Sequence, residues 1–285
     1  MPTDSDRVAG GLRSQVKPTF MAPAIGMSAF GALLAPTVSP FLAVLHALAV
    51  GTALYTAHLV DEFVDSHVRG EDVPLLTERT VRRAIVATAL VCLGLVVALA
   101  LLDRPVAAAT AAVLLVLAVL HAPVLDRNTV AVTADYPVGI GLALAGGYLA
   151  QTQRLPPGVV GIAALLVMVL AGVKVSIDRL DADFDRTIDK RTVPVVLGEH
   201  RATRVSAGLF AGAGGVTVAL VGLSALPLSA LLSVPLFVAG GVVGLSGTAE
   251  RAVRRQMLLV YPVTAVLFVT RCLSTVCVVA PTNFL

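Results

Sequence analysis

With 57% hydrophobic residues, only 14% charged ones and a mean hydropathy of +0.90, this 285-residue chain is too apolar for a water-soluble domain, where apolar usage is about 45–50%. Lipid is its solvent. A formal charge of +3 and a pI near 9.0 would hint at nucleic acid in a soluble protein, but the basic loops of a membrane protein report its topology, so no nucleic-acid partner is expected.

The first twenty residues, ending near Lys17 and Pro18, are polar and hold no apolar core before a small-residue cleavage site, so no removable signal peptide is expected. Nine apolar segments of spanning or near-spanning length follow: Met21 to Pro36, Pro40 to Val60, Arg83 to Leu102, Pro105 to Leu120, Val130 to Ala150, Val159 to Ile177, Val205 to Leu223, Leu228 to Leu245, and Met257 to Ala280. No polar linker longer than a membrane loop interrupts them, so residues 1–285 read as one all-α, polytopic bundle in the bilayer. Cys92, Cys272 and Cys277 lie in apolar stretches with no CxxC pair or His cluster, and read as core filler rather than zinc ligands or disulfides. Gly139, Gly141, Gly146 and Gly147 follow no strand, so they read as helix-packing residues and not as a nucleotide loop.

With the N-terminus in the cytoplasm, seventeen of the 21 basic residues fall on the cytoplasmic side and only Arg104 and Arg154 on the other, while Lys174 and Arg271 lie within or near the ends of spans. The positive-inside rule supports this register. In it the second and sixth spans both end on the cytoplasmic side, and both end in carboxylates.

The second span closes as His58-Leu-Val-Asp61-Glu-Phe-Val-Asp65, so Asp61 and Asp65 stand one turn apart on one face. The sixth closes as Lys174-Val-Ser-Ile-Asp178-Arg-Leu-Asp181-Ala-Asp-Phe-Asp185, which on a continuous helix aligns Asp178, Asp181 and Asp185 at i, i+3 and i+7 and leaves Asp183 off that face. Carboxylates so spaced repel one another, most strongly near a low-dielectric boundary, and need a cation. Mg²⁺ suits such an all-oxygen set, because it takes one or two carboxylates, keeps waters and completes its shell with phosphates. A single DxxxD at a helix end is ordinarily a solvated rim. Two of them, holding with Asp183 six of the eighteen acidic residues, read as a diphosphate site whose apolar substrate tail lies in the bundle.

These residues carry a resemblance to the UbiA superfamily of intramembrane prenyltransferases. Asp178-Arg-Leu-Asp181-Ala-Asp-Phe-Asp185, followed by Lys190-Arg191-Thr192 and then Pro194 and Gly198, is similar to that family's DxxDxxxD with its basic pair, Thr, Pro and Gly, and Asp61 and Asp65 match the acidic places of its NxxxDxxxD. The resemblance implies Mg²⁺-dependent handling of a prenyl diphosphate in a central cavity open to lipid, with Asp61, Asp65, Asp178 and Asp181 catalytic and, with Asp185, metal-binding. Lys190 and Arg191 are then diphosphate contacts. Lys174 reaches either the diphosphate or the carboxylates one turn on, and Asp135 and Tyr136 open the fifth span as candidates for the acceptor side.

The match departs at Ala57, where the family has Asn, and the loop Arg69–Thr77 lacks the Arg-Pro-Leu run found there. His58, three residues before Asp61, stands either in the missing amide's role or as a structural partner of a nearby acid. Three functions follow. Prenyl transfer to an acceptor is favoured by the scarcity of aromatics, 13 residues with no Trp, since cyclases steer cations with aromatic faces. Terpene cyclisation by a UbiA-type enzyme is the rival that Ala57 raises. An ion-coupled transporter fits least, because the acids gather at one face rather than at the midplane.

Overall fold

The computed structural model describes residues 4–188, 190–245 and 248–279, and every regular element among them is helical. The Cys277 side chain and Ala280, where the ninth expected segment ends, lie outside the described residues. In chain order the helices are α1 (Asp4–Ser14), α2 (Pro18–Leu33), α3 (Pro40–Phe63), α4 (Glu78–Leu101), α5 (Pro105–Val124), α6 (Thr129–Thr152), α7 (Pro157–Asp178), α8 (Ala182–Thr187), α9 (Val193–Leu197), α10 (Glu199–Gly222), α11 (Val234–Leu245) and α12 (Ala249–Val279). Three short irregular turns extend them: a π-helical run over Val64–Arg69 and 3₁₀ turns over Leu125–Arg127 and Leu228–Ser233.

Prolines set several starts. Pro18, Pro40, Pro105 and Pro157 open α2, α3, α5 and α7, where a missing N–H costs nothing because the first turn has no intrahelical acceptor for it. Thr77 caps α4 by accepting from the Thr80 N–H at 3.3 Å.

Among the described residues, eight helices are long and apolar enough to cross a membrane: Pro40–Arg69, Glu78–Leu101, Pro105–Arg127, Thr129–Thr152, Pro157–Asp178, Glu199–Gly222, Leu228–Leu245 and Ala249–Leu273. The first segment expected from hydropathy forms α2, apolar but 16 residues long. At ~1.5 Å per residue such a helix is shorter than the ~30 Å hydrocarbon core. Exposed aliphatics such as Val86, Leu90, Leu93 and Val97 on α4 give these helices the outer surface that lipid requires. The chain is an integral, multi-pass membrane protein.

Contacts divide the chain into two compact units, the first running to Asp126 and including Leu142–Arg154, the second taking Arg127–Gly141 and the chain from Leu155 on. In the first unit α3 packs on α2, α4 and α5. Its core clusters join Ala49 to Leu99, Ala108 and Ala111, and Val60 and Val64 to Ala122. Gly147 of α6 lies so close to α2 that a Cβ there would strike the Ser28 carbonyl, which is close helix approach of the kind small residues permit in lipid. In the second unit α10 packs on α7 and α11, and α12 on α7 and α11. Phe210 is fully buried there, and Gln256 donates to Ser206 Oγ (3.1 Å) and the Gly240 carbonyl (3.0 Å) while Ser206 donates to the Gly172 carbonyl (2.8 Å). Buried between packed helices, such groups must find their partners within the bundle.

Close packing at Gly147 makes a direct prediction. Gly147→Ala should destabilise by about 1–3 kcal/mol, because backbone rather than a flexible side chain must give way. Gly94→Ala, on α4 with open space around the added methyl, should be neutral or stabilising. Melting temperatures of the two variants in one detergent check this.

Candidate active site

The first acidic end belongs to the first unit. Asp61 lies in the last turn of α3 and Asp65 in the π-helical run that follows, which widens the turn between them. The run ends at Gly70, whose φ of +68° is left-handed, and the Glu71 N–H turns back onto the Asp65 carbonyl at 2.8 Å. Both carboxylates are half-exposed. Arg69 bonds Asp65 Oδ1 (3.3 Å), Asp126 Oδ2 (3.2 Å) and the Ala122 carbonyl (2.7 Å), and so ties this end of α3 to the end of α5; His121 Nε2 lies 3.7 Å from Asp61 Oδ1. Opposite charge held by bonded donors makes a set of acids tolerable near lipid.

His58 is buried and faces the N-terminal segment. Its Nδ1 donates to the Gln15 carbonyl at 3.0 Å, and its ring meets Phe20 edge-on with centroids 6.2 Å apart. Glu62, also buried, accepts from Gln15 Nε2 and from the Leu75 N–H, each at 3.0 Å. Arg69, Glu62, Asp126 and Gln15 lie outside the positions that the acidic motifs mark in the sequence. Arg69, four residues after Asp65, carried a legible signal as an i, i+4 ion pair. Gln15, in a polar leader, carried none.

The second acidic end belongs to the second unit, and its geometry corrects an expectation. Asp178, Asp181 and Asp185 do not share one continuous helix: α7 stops at Asp178, the Leu180 N–H turns back to the Ile177 carbonyl (2.8 Å), and α8 starts after Asp181. Carboxylates at a helix C-terminus oppose the helix dipole, and Asp is a poor helix former that competes for backbone bonds, so four aspartates in eight residues break the helix.

Burial then sorts them. Asp178 (3% exposed) and Asp185 (5%) are inside, whereas Asp181 and Asp183 are exposed. Lys174 pairs with Asp178 Oδ1 one turn earlier, and Asp178 Oδ2 is buried with no hydrogen-bond partner among the described residues. Asp185 Oδ2 accepts from Thr192 Oγ1 at 3.0 Å, and the Asp185 carbonyl accepts from the Lys190 N–H at 3.0 Å. Burial pushes the Asp185 carboxyl above its ordinary pKa, while the Thr192 hydroxyl and then Lys190 and Lys174 hold it down. Asp183 pairs with Arg186 on the surface. Lys190 is half-buried and Arg191 exposed. Arg179, unremarked in the sequence, is buried and donates from Nη2 to Glu199 at 3.0 Å. Tyr136 is half-buried in α6, its N–H on Asp135 Oδ1 at 2.6 Å.

Among the described residues no group of three His, Cys, Asp or Glu side chains converges closely enough to hold a metal alone. Mg²⁺ needs only one or two carboxylates and leaves its other positions to water and substrate oxygens. The donors are all oxygen, and the unpartnered Asp178 Oδ2 is the kind of buried acceptor that a cation completes.

Comparison with known proteins follows from this geometry. The profile of the UbiA prenyltransferase family matches residues 24–261. Among solved structures, one from work on the biosynthesis of digeranylgeranylglyceryl phosphate synthase in membranes aligns with a TM-score of 0.73 at 14% identity, over 93% of this chain and 98% of its own. A UbiA homologue from Archaeoglobus fulgidus bound to DMAPP and Mg²⁺ aligns at 0.67 and 16% identity, over 92% and 97% of the two chains. An apo UbiA homologue from Aeropyrum pernix K1 aligns at 0.69 and 16%, over 91% and 99%. No functionally curated protein matches the sequence.

The Lys174–Asp178 pair can be tested without any substrate. Lys174→Met strands a buried carboxylate and should cost about 1–3 kcal/mol. Lys174→Met with Asp178→Asn should recover most of that loss, and Asp183→Asn, at an exposed position, should not move the melting temperature measurably.

Proposed function

We propose that this chain, which belongs to the UbiA prenyltransferase family, ionises a prenyl diphosphate with the help of Mg²⁺ and transfers the prenyl group to an acceptor. The observation that carries the reading is chemical: two acidic helix ends, each holding its own basic partner, in a protein whose solvent is lipid. Solved relatives at 16–17% identity were captured with DMAPP or GPP and Mg²⁺, which supports the same ligand class here. In this reading residues 1–285 act as one membrane domain, with the N-terminus and both acidic ends on the cytoplasmic side, as the distribution of basic residues favours.

Asp61, Asp65, Asp178, Asp181 and Asp185 are the residues assigned to hold Mg²⁺. Asp178 brings a buried oxygen with no hydrogen-bond partner among the described residues, and the half-exposed Asp61 and Asp65 present theirs at the end of α3. Mg²⁺, when bound, neutralises the oxygens of a leaving diphosphate. Lys174, Lys190 and Arg191 donate to phosphate oxygens. Lys174 needs a second acceptor for this, and its three ammonium protons provide for one beside Asp178. As the carbon–oxygen bond breaks, the electron pair leaves with the diphosphate and the prenyl carbon becomes the electrophile that the acceptor attacks. Tyr136 is assigned to the acceptor side, and His58, engaged with Gln15 through Nδ1, bears on Asp61 through the backbone they share.

A second reading rests on Ala57. The family's Asn side chain is missing one turn before Asp61, and an enzyme altered there could quench the cation within its own chain, as a UbiA-type terpene cyclase. Incubating purified protein with Mg²⁺ and prenyl diphosphates of several lengths, without acceptor, separates the two: transfer predicts no cyclic hydrocarbon, and cyclisation predicts one.

Two further outcomes test the metal reading. Excess EDTA should abolish turnover and remove the rise in melting temperature that a prenyl diphosphate confers. Asp61→Asn, Asp65→Asn and Asp178→Asn should each lower turnover by about 10²-fold or more while the fold survives, because size is kept and the charge that binds Mg²⁺ is lost. Initial rates and melting temperatures of the three variants decide it; full turnover in EDTA would sink the mechanism.

A further inference from the structure

The first acidic end carries a third carboxylate that the proposed chemistry does not use. Glu62 lies between Asp61 and Asp65 in sequence and is buried, whereas the two aspartates are half-exposed. Both of its oxygens are occupied: Oε2 by Gln15 Nε2 and Oε1 by the Leu75 N–H, each at 3.0 Å. Gln15 is 3% exposed, and its backbone carbonyl accepts from His58 Nδ1 at 3.0 Å. One residue from outside the helix therefore grips α3 at His58 and Glu62, a turn apart, on the face adjacent to Asp61 and Asp65. A carboxylate only accepts, so Glu62 dictates which way the Gln15 amide faces: NH₂ towards the acid, Oε1 away, buried and with no hydrogen-bond partner among the described residues. Neighbouring contacts fix the segment that delivers Gln15, since Tyr55 Oη donates to the Leu12 carbonyl at 2.8 Å and Leu12 packs on the cluster of Leu59, Leu76 and Val81.

We propose that Gln15 is a positioning residue for the metal–diphosphate chemistry: by occupying Glu62 it keeps a third negative charge out of the cation site and leaves Asp61 and Asp65 as the anionic pair. This rests on the function proposed above. Mg²⁺ works here only if positions in its shell stay open to phosphate, and a third carboxylate on the same turn would fill one. Glu62 neighbours Asp61 in the last turn of α3, and each donor it loses lowers the cost of turning towards a cation. An amide is suited to prevent this, because it neutralises no charge yet satisfies the acid in a buried setting.

Gln15→Met keeps the length of the side chain and removes the amide. Metal affinity is read by Mn²⁺ binding, followed by electron paramagnetic resonance on purified protein in detergent, and KM for a prenyl diphosphate is read separately. Freed Glu62 should bind metal, so Gln15→Met should hold Mn²⁺ about tenfold more tightly and show a raised KM. Adding Glu62→Gln to Gln15→Met should return both quantities to within about twofold of wild type, because the competing charge is gone. Glu62→Gln alone should leave Mn²⁺ affinity unchanged; loss of binding there would make Glu62 a ligand and overturn the proposal, whether or not Gln15→Met folds. Unaltered Mn²⁺ affinity in Gln15→Met, or a double variant worse than either single one, would mean a purely structural strap and also overturn it. Asp61→Asn is the separate control: if it still binds Mn²⁺ like wild type, the metal reading of this helix end fails on its own account.

Discussion

Like charges at the end of a membrane helix are the constraint on which the rest of this structure depends. A carboxylate at the lipid boundary is costly in its charged form, and several within two turns raise one another's cost. Each acidic end answers with a cation from its own unit. Arg69 lies four residues beyond Asp65 and reaches Asp126 as well, and Lys174 lies four residues before Asp178. The i, i+4 spacing, like i, i+3, brings a long basic side chain over an acid without a second element. Structure at both ends departs from the plain α-helix, in a π-helical run at Val64–Arg69 and a break after Asp178. At both ends the departure changes the directions in which neighbouring carboxylates project.

Much of the fold was legible because lipid is an undemanding reader: a run of about 20 apolar residues is a helix wherever it occurs, since no other open structure satisfies its backbone. Segments such as Val159 to Ile177 and Leu228 to Leu245 therefore map onto observed helices to within a turn or so. Membership of a known family was also legible, carried by the spacing of Asp178, Asp181 and Asp185 ahead of Lys190, Thr192 and Pro194.

What was not legible depended on continuity and on depth. Spacing places Asp178, Asp181 and Asp185 on one face only if the helix continues, and the density of aspartates that marks the motif is what stops it. Depth was equally hidden: nothing in the letters separates buried Asp185 from exposed Asp181, since the distinction comes from Thr192 and the return of the chain over α8. Gln15, which bonds both His58 and Glu62, lies more than forty residues before either, and the spacing within one helix says nothing of a partner delivered from so far along the chain.

Charge and burial together refine which acids suit which task. An exposed carboxylate such as Asp183, paired with Arg186, is ionised at little cost and is poorly placed to gain from a metal. A buried one such as Asp178 is different. Its Oδ1 is held by Lys174, yet Oδ2 remains buried with no hydrogen-bond partner among the described residues, so its charged form is under-compensated until another cation arrives. Asp185 is intermediate: burial raises its carboxyl above the ordinary range, while the Thr192 hydroxyl and two lysines oppose that rise. In the proposed function, affinity for a divalent ion should be greatest where the protein's own cations stop short of neutrality, a criterion that favours Asp178 over the motif's exposed members.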